Sequence, residues 1–201
     1  MPAKLKIIDF MRTELSGSNG GAHTFDHTMR VFTLSMQIGE GLPVSIRVLQ
    51  AAALLHDVGR PKESETGISH SILSGEMGTP LLQELAYTES EIEQVLDAIR
   101  THRFSEGIEP NSLEGKILSD ADKLDSMGAI GVYRAIAHGV TRGRGMIGFL
   151  EHADEKLLKL KDLMYTKPGK LLAEKRHEVL QKFVDELREE IREEELQRGS
   201  F

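Results

Sequence analysis

The chain has 201 residues, 39% of them hydrophobic and 28% charged, a composition that supports a buried core and argues against a disordered or membrane-embedded protein. Its formal charge of -7 disfavours long nucleic acids as the main ligand, because phosphate backbones are bound by an excess of Lys and Arg, while a small anion bound locally stays open. The absence of Cys removes disulfides, thiolate nucleophiles and Cys-ligated zinc or iron–sulfur centres, so a metal would have to use nitrogen and oxygen ligands and the eight His become the first suspects.

The periodic run KIIDFMRTEL predicts a short first helix, stopped by the Gly-rich SGSNGGA. Phe25, Met29, Phe32, Leu34 and Met36 predict a second from about 24 to 39, ending at the Gly39 to Gly41 segment and carrying His27 near its start. Pro43 and Ser45 suit the start of a third, IRVLQAAALLHDVG, whose scarcity of polar residues predicts a buried central helix halted by Gly59 and Pro61. Further helices are expected over roughly 69–86 and 88–102, the second opened by a Thr88 and Glu91 capping box, and over 112–138. After the flexible RGRG at 142–145, two charged amphipathic helices are expected over about 147–164 and 169–197, separated by YTKPGK. No segment alternates as a strand should, so the expected class is all-α. The chain reads as one domain over 1–201, with a core at about 22–140 and C-terminal helices at about 147–197 packed on it. No apolar run approaches a membrane span, and the expected location is the cytoplasm.

The strongest chemical signal is His56 and Asp57 together at the end of the most apolar helix. An Asp there meets the negative end of the helix dipole, and burial adds a desolvation cost that a cation would relieve. His27 lies on an earlier helix, and Asp120, Asp122 and Asp125 on a later one. Asp120 and Asp122, two apart on a helix, point about 200° from each other, so one regular helix should not aim both at one ion. Basic candidates for a phosphate are Arg60, Lys62, Arg103, Lys123, Arg142 and Arg144. Lys123 is favoured for its place beside Asp122, and Arg142 and Arg144 for lying in a Gly-flanked segment free to move toward an anion. His23, four residues before His27, is a candidate substrate contact, and Asp26 either caps its helix or orients His27. His138, His152 and His177 stand in charged helical settings and read as surface residues.

The segments AHTFDHTMRV, ALLHDVG, DADKLDSMGAIG and EKLLKLKDLMYTKPGKLLAEKRHE, spread over about residues 22–190, resemble successive blocks of the HD superfamily of metal-dependent phosphohydrolases, in its bacterial YpgQ and YedJ branch. That resemblance implies an all-α HD-domain bundle with a C-terminal helical extension, whose His27, His56, Asp57 and Asp122 converge on one divalent ion such as Mn, Mg, Fe or Zn. It also implies hydrolysis of a nucleotide or related small phosphorylated metabolite, nucleotide pyrophosphohydrolases being among its members. His70 and His102 are expected as phosphate donors or neighbours of the ligands around a single ion; in dinuclear relatives the corresponding histidines bind a second ion with the Asp of the HD pair bridging. The chain departs from the branch at Thr24, where an acidic residue is common, and at Lys123, where Arg is common. Two alternatives stay open: an HD-type di-iron oxygenase and a nucleotide-binding sensor without turnover.

Overall fold

The central helix expected from the Ala- and Leu-rich run is α3 (Ile46–Leu55) of the computed structural model, which describes residues 2–16, 25–103 and 106–198. Ser45 caps it by accepting a hydrogen bond from the Val48 amide, and Val48, Leu49, Ala51, Ala52, Ala53, Leu54 and Leu55 are all fully buried. At roughly 2 kcal/mol for each large aliphatic side chain removed from water, this helix organises the unit formed by residues 1–122. It packs against α1 (Ala3–Leu15), α2 (Phe25–Gly39), α5 (His70–Glu84) and α6 (Glu89–Thr101). The Thr88 and Glu91 capping box opens α6 as expected. Among the described residues every regular element is helical.

Three expectations about boundaries need correction. α3 already ends at Leu55 with His56 as its cap, before the Gly59 and Pro61 expected to halt it, and Pro61, in the first turn of a further helix, α4 (Arg60–Thr66), suits its start because a missing N–H costs nothing there. The helix expected over 112–138 is two, α7 (Leu113–Asp125) and α8 (Gly128–Val140). Gly128 takes a left-handed φ of +66° between them, and the Asp125 carbonyl is capped by the Arg134 guanidinium at 3.0 Å. Apolar spacing runs on through Leu124, Met127 and Val132, all buried, so hydropathy alone could not reveal the break. The helix expected over 147–164 is α9 (Met146–Glu155) followed by a 3-10 segment, Leu157–Leu163.

A second unit comprises residues 123–201. In it α8 packs on α10 (Lys167–Arg198), and the 3-10 segment lies against α9 and α10. Phe149 meets Phe183 edge to face at 5.7 Å, above buried Ala153, Leu157, Leu160, Ala173, Leu180 and Val184. Arg188 clamps Asp154 through both carboxylate oxygens, at 2.5 and 2.6 Å. No helix among the described residues is long and apolar enough to cross a membrane.

Candidate metal centre

The end of α3 and the end of α6 are built alike. Each closes on a histidine in helical conformation, His56 and His102, whose Nδ1 faces the carbonyl three residues back, Ala53 and Ile99 respectively. The last carbonyls of a helix have no partner within it, so each imidazole satisfies one by donating Nδ1–H. That bond fixes the tautomer and leaves the Nε2 lone pair directed away from the helix. Both rings are buried, and burial pushes both below the ordinary imidazole range, His102 to about 4 with His56 adding to the effect. Both are therefore neutral near pH 7, the form that ligates a metal.

Asp57 is 1% exposed and lies among four imidazoles. Its Oδ2 is 3.6 Å from His27 Nε2 and 3.9 Å from His56 Nε2. Its Oδ1 is 3.1 Å from His70 Nε2 and 3.9 Å from His102 Nε2. Each oxygen thus faces its own pair of rings, and ligand atoms of His27, His56 and Asp57, and of Asp57, His70 and His102, lie within 4.8 Å of one another. On α7, the Asp122 Oδ1 approaches His27 Nε2 to 3.4 Å. Burial works to raise the Asp122 pKa, yet the hydrogen bond and charge of His27 hold its carboxyl well below the usual carboxylate range.

The donor set fits a divalent cation. His56 Nε2 and His70 Nε2 are buried with no hydrogen-bond partner among the described residues, a cost that a bound cation removes. Imidazole and carboxylate suit Mn, Fe, Zn or Mg.

A polar cluster that sequence reasoning passed over surrounds His70. Glu63 Oε1 accepts from His70 Nδ1 at 3.1 Å, from the His70 amide at 3.2 Å and from Arg103 Nη1 at 2.7 Å. Its Oε2 takes Arg60 Nη1 at 3.1 Å, and Arg60 Nε lies 3.5 Å from Asp57 Oδ1. Partial burial pushes the Glu63 carboxyl up, but the His70 hydrogen bonds and the Arg60 charge outweigh it and bring it down to about 2. Glu106 accepts from Arg103 and from the hydroxyls of Ser69 and Ser71. The only signal for Glu63 in the sequence was its place three residues after Arg60, inside a stretch read as a helix stop.

Gly59 allows the approach on which this depends. A Cβ there would stand 2.6 Å from Leu73 Cβ, 2.6 Å from the Ser74 amide and 2.9 Å from the His70 carbonyl. Its own amide donates to Ser74 Oγ at 2.9 Å, so the turn after Asp57 is held against the first turn of α5, where His70 sits.

The remaining expected residues lie elsewhere. Asp26 is exposed in the first turn of α2, where a carboxylate complements the helix dipole. Asp120 is buried on α7. Asp125 is buried and paired with Arg134 at 2.6 Å. Lys123 is buried with Nζ 4.6 Å from the centre of the Tyr165 ring, a cation–π contact. Arg142 and Arg144 are exposed after α8, where their charges help to lower the His138 pKa, secondary to its burial. Lys62 is exposed with Nζ 4.0 Å from Glu14. His138, His152 and His177 are half-buried rather than fully at the surface. His23 and Thr24 lie outside the described residues.

Comparison with known proteins identifies the family and the fold. The HD domain family matches residues 24–127. The Bacillus subtilis protein YpgQ, itself uncharacterised, is 31% identical over 197 residues, 92% of each chain. The crystal structure of YpgQ in complex with ADP aligns with a TM-score of 0.77 at 27% identity, covering 94% of this chain and 97% of that one. An HD-superfamily hydrolase from Bacillus thuringiensis aligns with a TM-score of 0.76 at 33% identity, over 94% of this chain and 96% of that one.

Proposed function

This chain belongs to the HD-domain family and is a hydrolase of that superfamily, and from that premise we propose that it hydrolyses a phosphate ester or anhydride of a nucleotide or related small phosphorylated metabolite, with divalent metal. The observation that carries the proposal is Asp57, buried with each oxygen facing a separate pair of imidazoles. His27, His56, Asp57 and Asp122 would hold one ion. The placement of His70 and His102 around the other Asp57 oxygen favours a second ion there over the single one expected from the sequence. A bound divalent ion supplies Lewis acidity, lowering the pKa of a water and polarising a phosphoryl oxygen.

The protein's own contribution is position and charge. The neutral, buried imidazoles of His56 and His102 keep their Nε2 lone pairs in place, and the carboxylates of Asp57 and Asp122 balance positive charge. Arg60 and Arg103 present guanidinium groups beside the Asp57 and His70 edge of the site, where they would neutralise charge gathering on phosphoryl oxygens. Lys123, next to Asp122, and the exposed Arg142 and Arg144 are further proposed phosphate contacts. The YpgQ complex with ADP supports a nucleotide as the ligand class.

Phosphate and pyrophosphate release from a nucleotide panel, by metal-stripped protein with Mn²⁺ restored, tests this reading. Release that a chelator abolishes and Mn²⁺ recovers is expected. A second reading is favoured by the same two ligand groups, since paired iron would support oxygen chemistry. Oxygen uptake with Fe²⁺ and no phosphate release would establish it. Nucleotide-dependent thermal stabilisation without turnover under either condition would mark a sensor.

A further inference from the structure

Three of the four imidazoles around Asp57, those of His56, His70 and His102, need the same tautomer but obtain it differently. His56 and His102 stand at helix C-termini, where unpaired carbonyls accept their Nδ1–H. His70 is the first residue of α5, and a helix N-terminus offers unpaired N–H donors, not acceptors. No carbonyl of its own turn can take its Nδ1 proton, so an acceptor must come from another element.

Glu63 is that acceptor. Gly67, with φ of +70°, turns the chain back after α4 and closes it by donating to the Glu63 carbonyl at 2.9 Å. This brings the Glu63 carboxylate over the start of α5, where Oε1 meets both the Nδ1 and the amide of His70. The tautomer matters because His70 Nε2 lies 3.1 Å from Asp57 Oδ1 without the geometry of a hydrogen bond to it. A proton on Nε2 would occupy the direction a cation needs. A proton on Nδ1 leaves a lone pair and a carboxylate oxygen facing the same space.

We infer that Glu63 is a positioning residue that holds His70 in its Nδ1–H form and thereby keeps the Asp57, His70 and His102 group open to the second ion. The inference rests on the two-ion reading above. Arg103, which follows His102 directly, binds the same Glu63 oxygen at 2.7 Å, so one carboxylate ties the elements bearing His70 and His102 together. Arg60 Nη1 holds the other oxygen of the same carboxylate at 3.1 Å, which fixes its orientation.

The test compares wild type with Glu63→Ala and Glu63→Gln by calorimetric Mn²⁺ titration of stripped protein and by ¹⁵N NMR of the imidazole tautomers in the metal-free state. Wild type should bind two equivalents, with His70 protonated on Nδ1. Glu63→Ala should weaken the second equivalent by about 10- to 100-fold while leaving the first unchanged, and should move the His70 proton to Nε2. Glu63→Gln, whose amide oxygen still accepts one hydrogen bond, should recover part of both. Equal weakening of both equivalents in Glu63→Ala, or an unmoved His70 proton, would overturn the assignment. One equivalent in wild type would refute the two-ion reading itself, and the His70 tautomer in the variants would still decide the role of Glu63.

Discussion

Replacing Gly59 by Ala sets two physical effects against each other. Gly59 has φ of -81° and ψ of -8°, a conformation open to alanine, so backbone entropy alone predicts stabilisation by about 0.4–1 kcal/mol. The added methyl, however, would lie 2.6 Å from Leu73 Cβ and from the Ser74 amide nitrogen, short of ordinary contact by most of an ångström, and two of the three atoms it meets are backbone. Backbone cannot swing aside as a side-chain tip can, so α5 must shift. Overpacking of this kind costs about 3 kcal/mol at the upper end of its usual range, and the loosened Gly59 to Ser74 hydrogen bond adds about 1 kcal/mol. The net loss is about 3 kcal/mol, which for a chain of this length lowers the melting temperature by roughly 6–12 °C. Differential scanning calorimetry of metal-stripped protein measures it directly. Because α5 carries His70, the second Mn²⁺ equivalent should also weaken more than the first. A melting temperature equal to or above that of the wild type would show that the close approach of the HD turn to α5 does not constrain the site.

Other outcomes follow from the same geometry. His56→Ala or Asp57→Ala should keep the helical circular dichroism signal and abolish metal-supported hydrolysis; full turnover after chelation and metal readdition would exclude the site. Removing both His70 and His102 by substitution with Ala should reduce bound Mn²⁺ from two equivalents to one, and retention of two would place the second ion elsewhere. Arg142→Ala with Arg144→Ala should raise KM for a phosphorylated substrate several-fold without changing metal content, whereas unchanged kinetics would remove that loop from substrate binding. The metal-free protein should lose stability on acidification: burial, and then His56, hold His102 at about 4 against an ordinary 6.5, so the unfolded chain binds its proton first. The stabilisation is complete above about pH 6.5 and is lost as pH falls toward 4, a difference of about 3 kcal/mol for this group. Urea unfolding at pH 7.5 and 4.5 measures it, and equal midpoints would contradict the buried neutral imidazole.

By itself the sequence determined the all-α class, the central buried helix, the capping box of α6 and the residue types that converge on the site. These depend on local spacing, on side-chain volume and on the cost of leaving His and Asp in an apolar helix end. The resemblance to HD proteins also implied that His70 and His102 lie near the ligands, but not on which side of Asp57. The tertiary structure decided that, together with the break between α7 and α8, the existence of α4 and the part played by Glu63. The side of Asp57 and the part of Glu63 turn on partners far apart in the chain. Gly59 meets Ser74, Glu63 meets Arg103 forty residues away, and the orientation of an imidazole depends on which acceptor reaches its second nitrogen. Periodicity reports which face of a helix is apolar; whether a proton sits on Nδ1 or Nε2 is set only when the packed elements bring an oxygen within hydrogen-bonding distance.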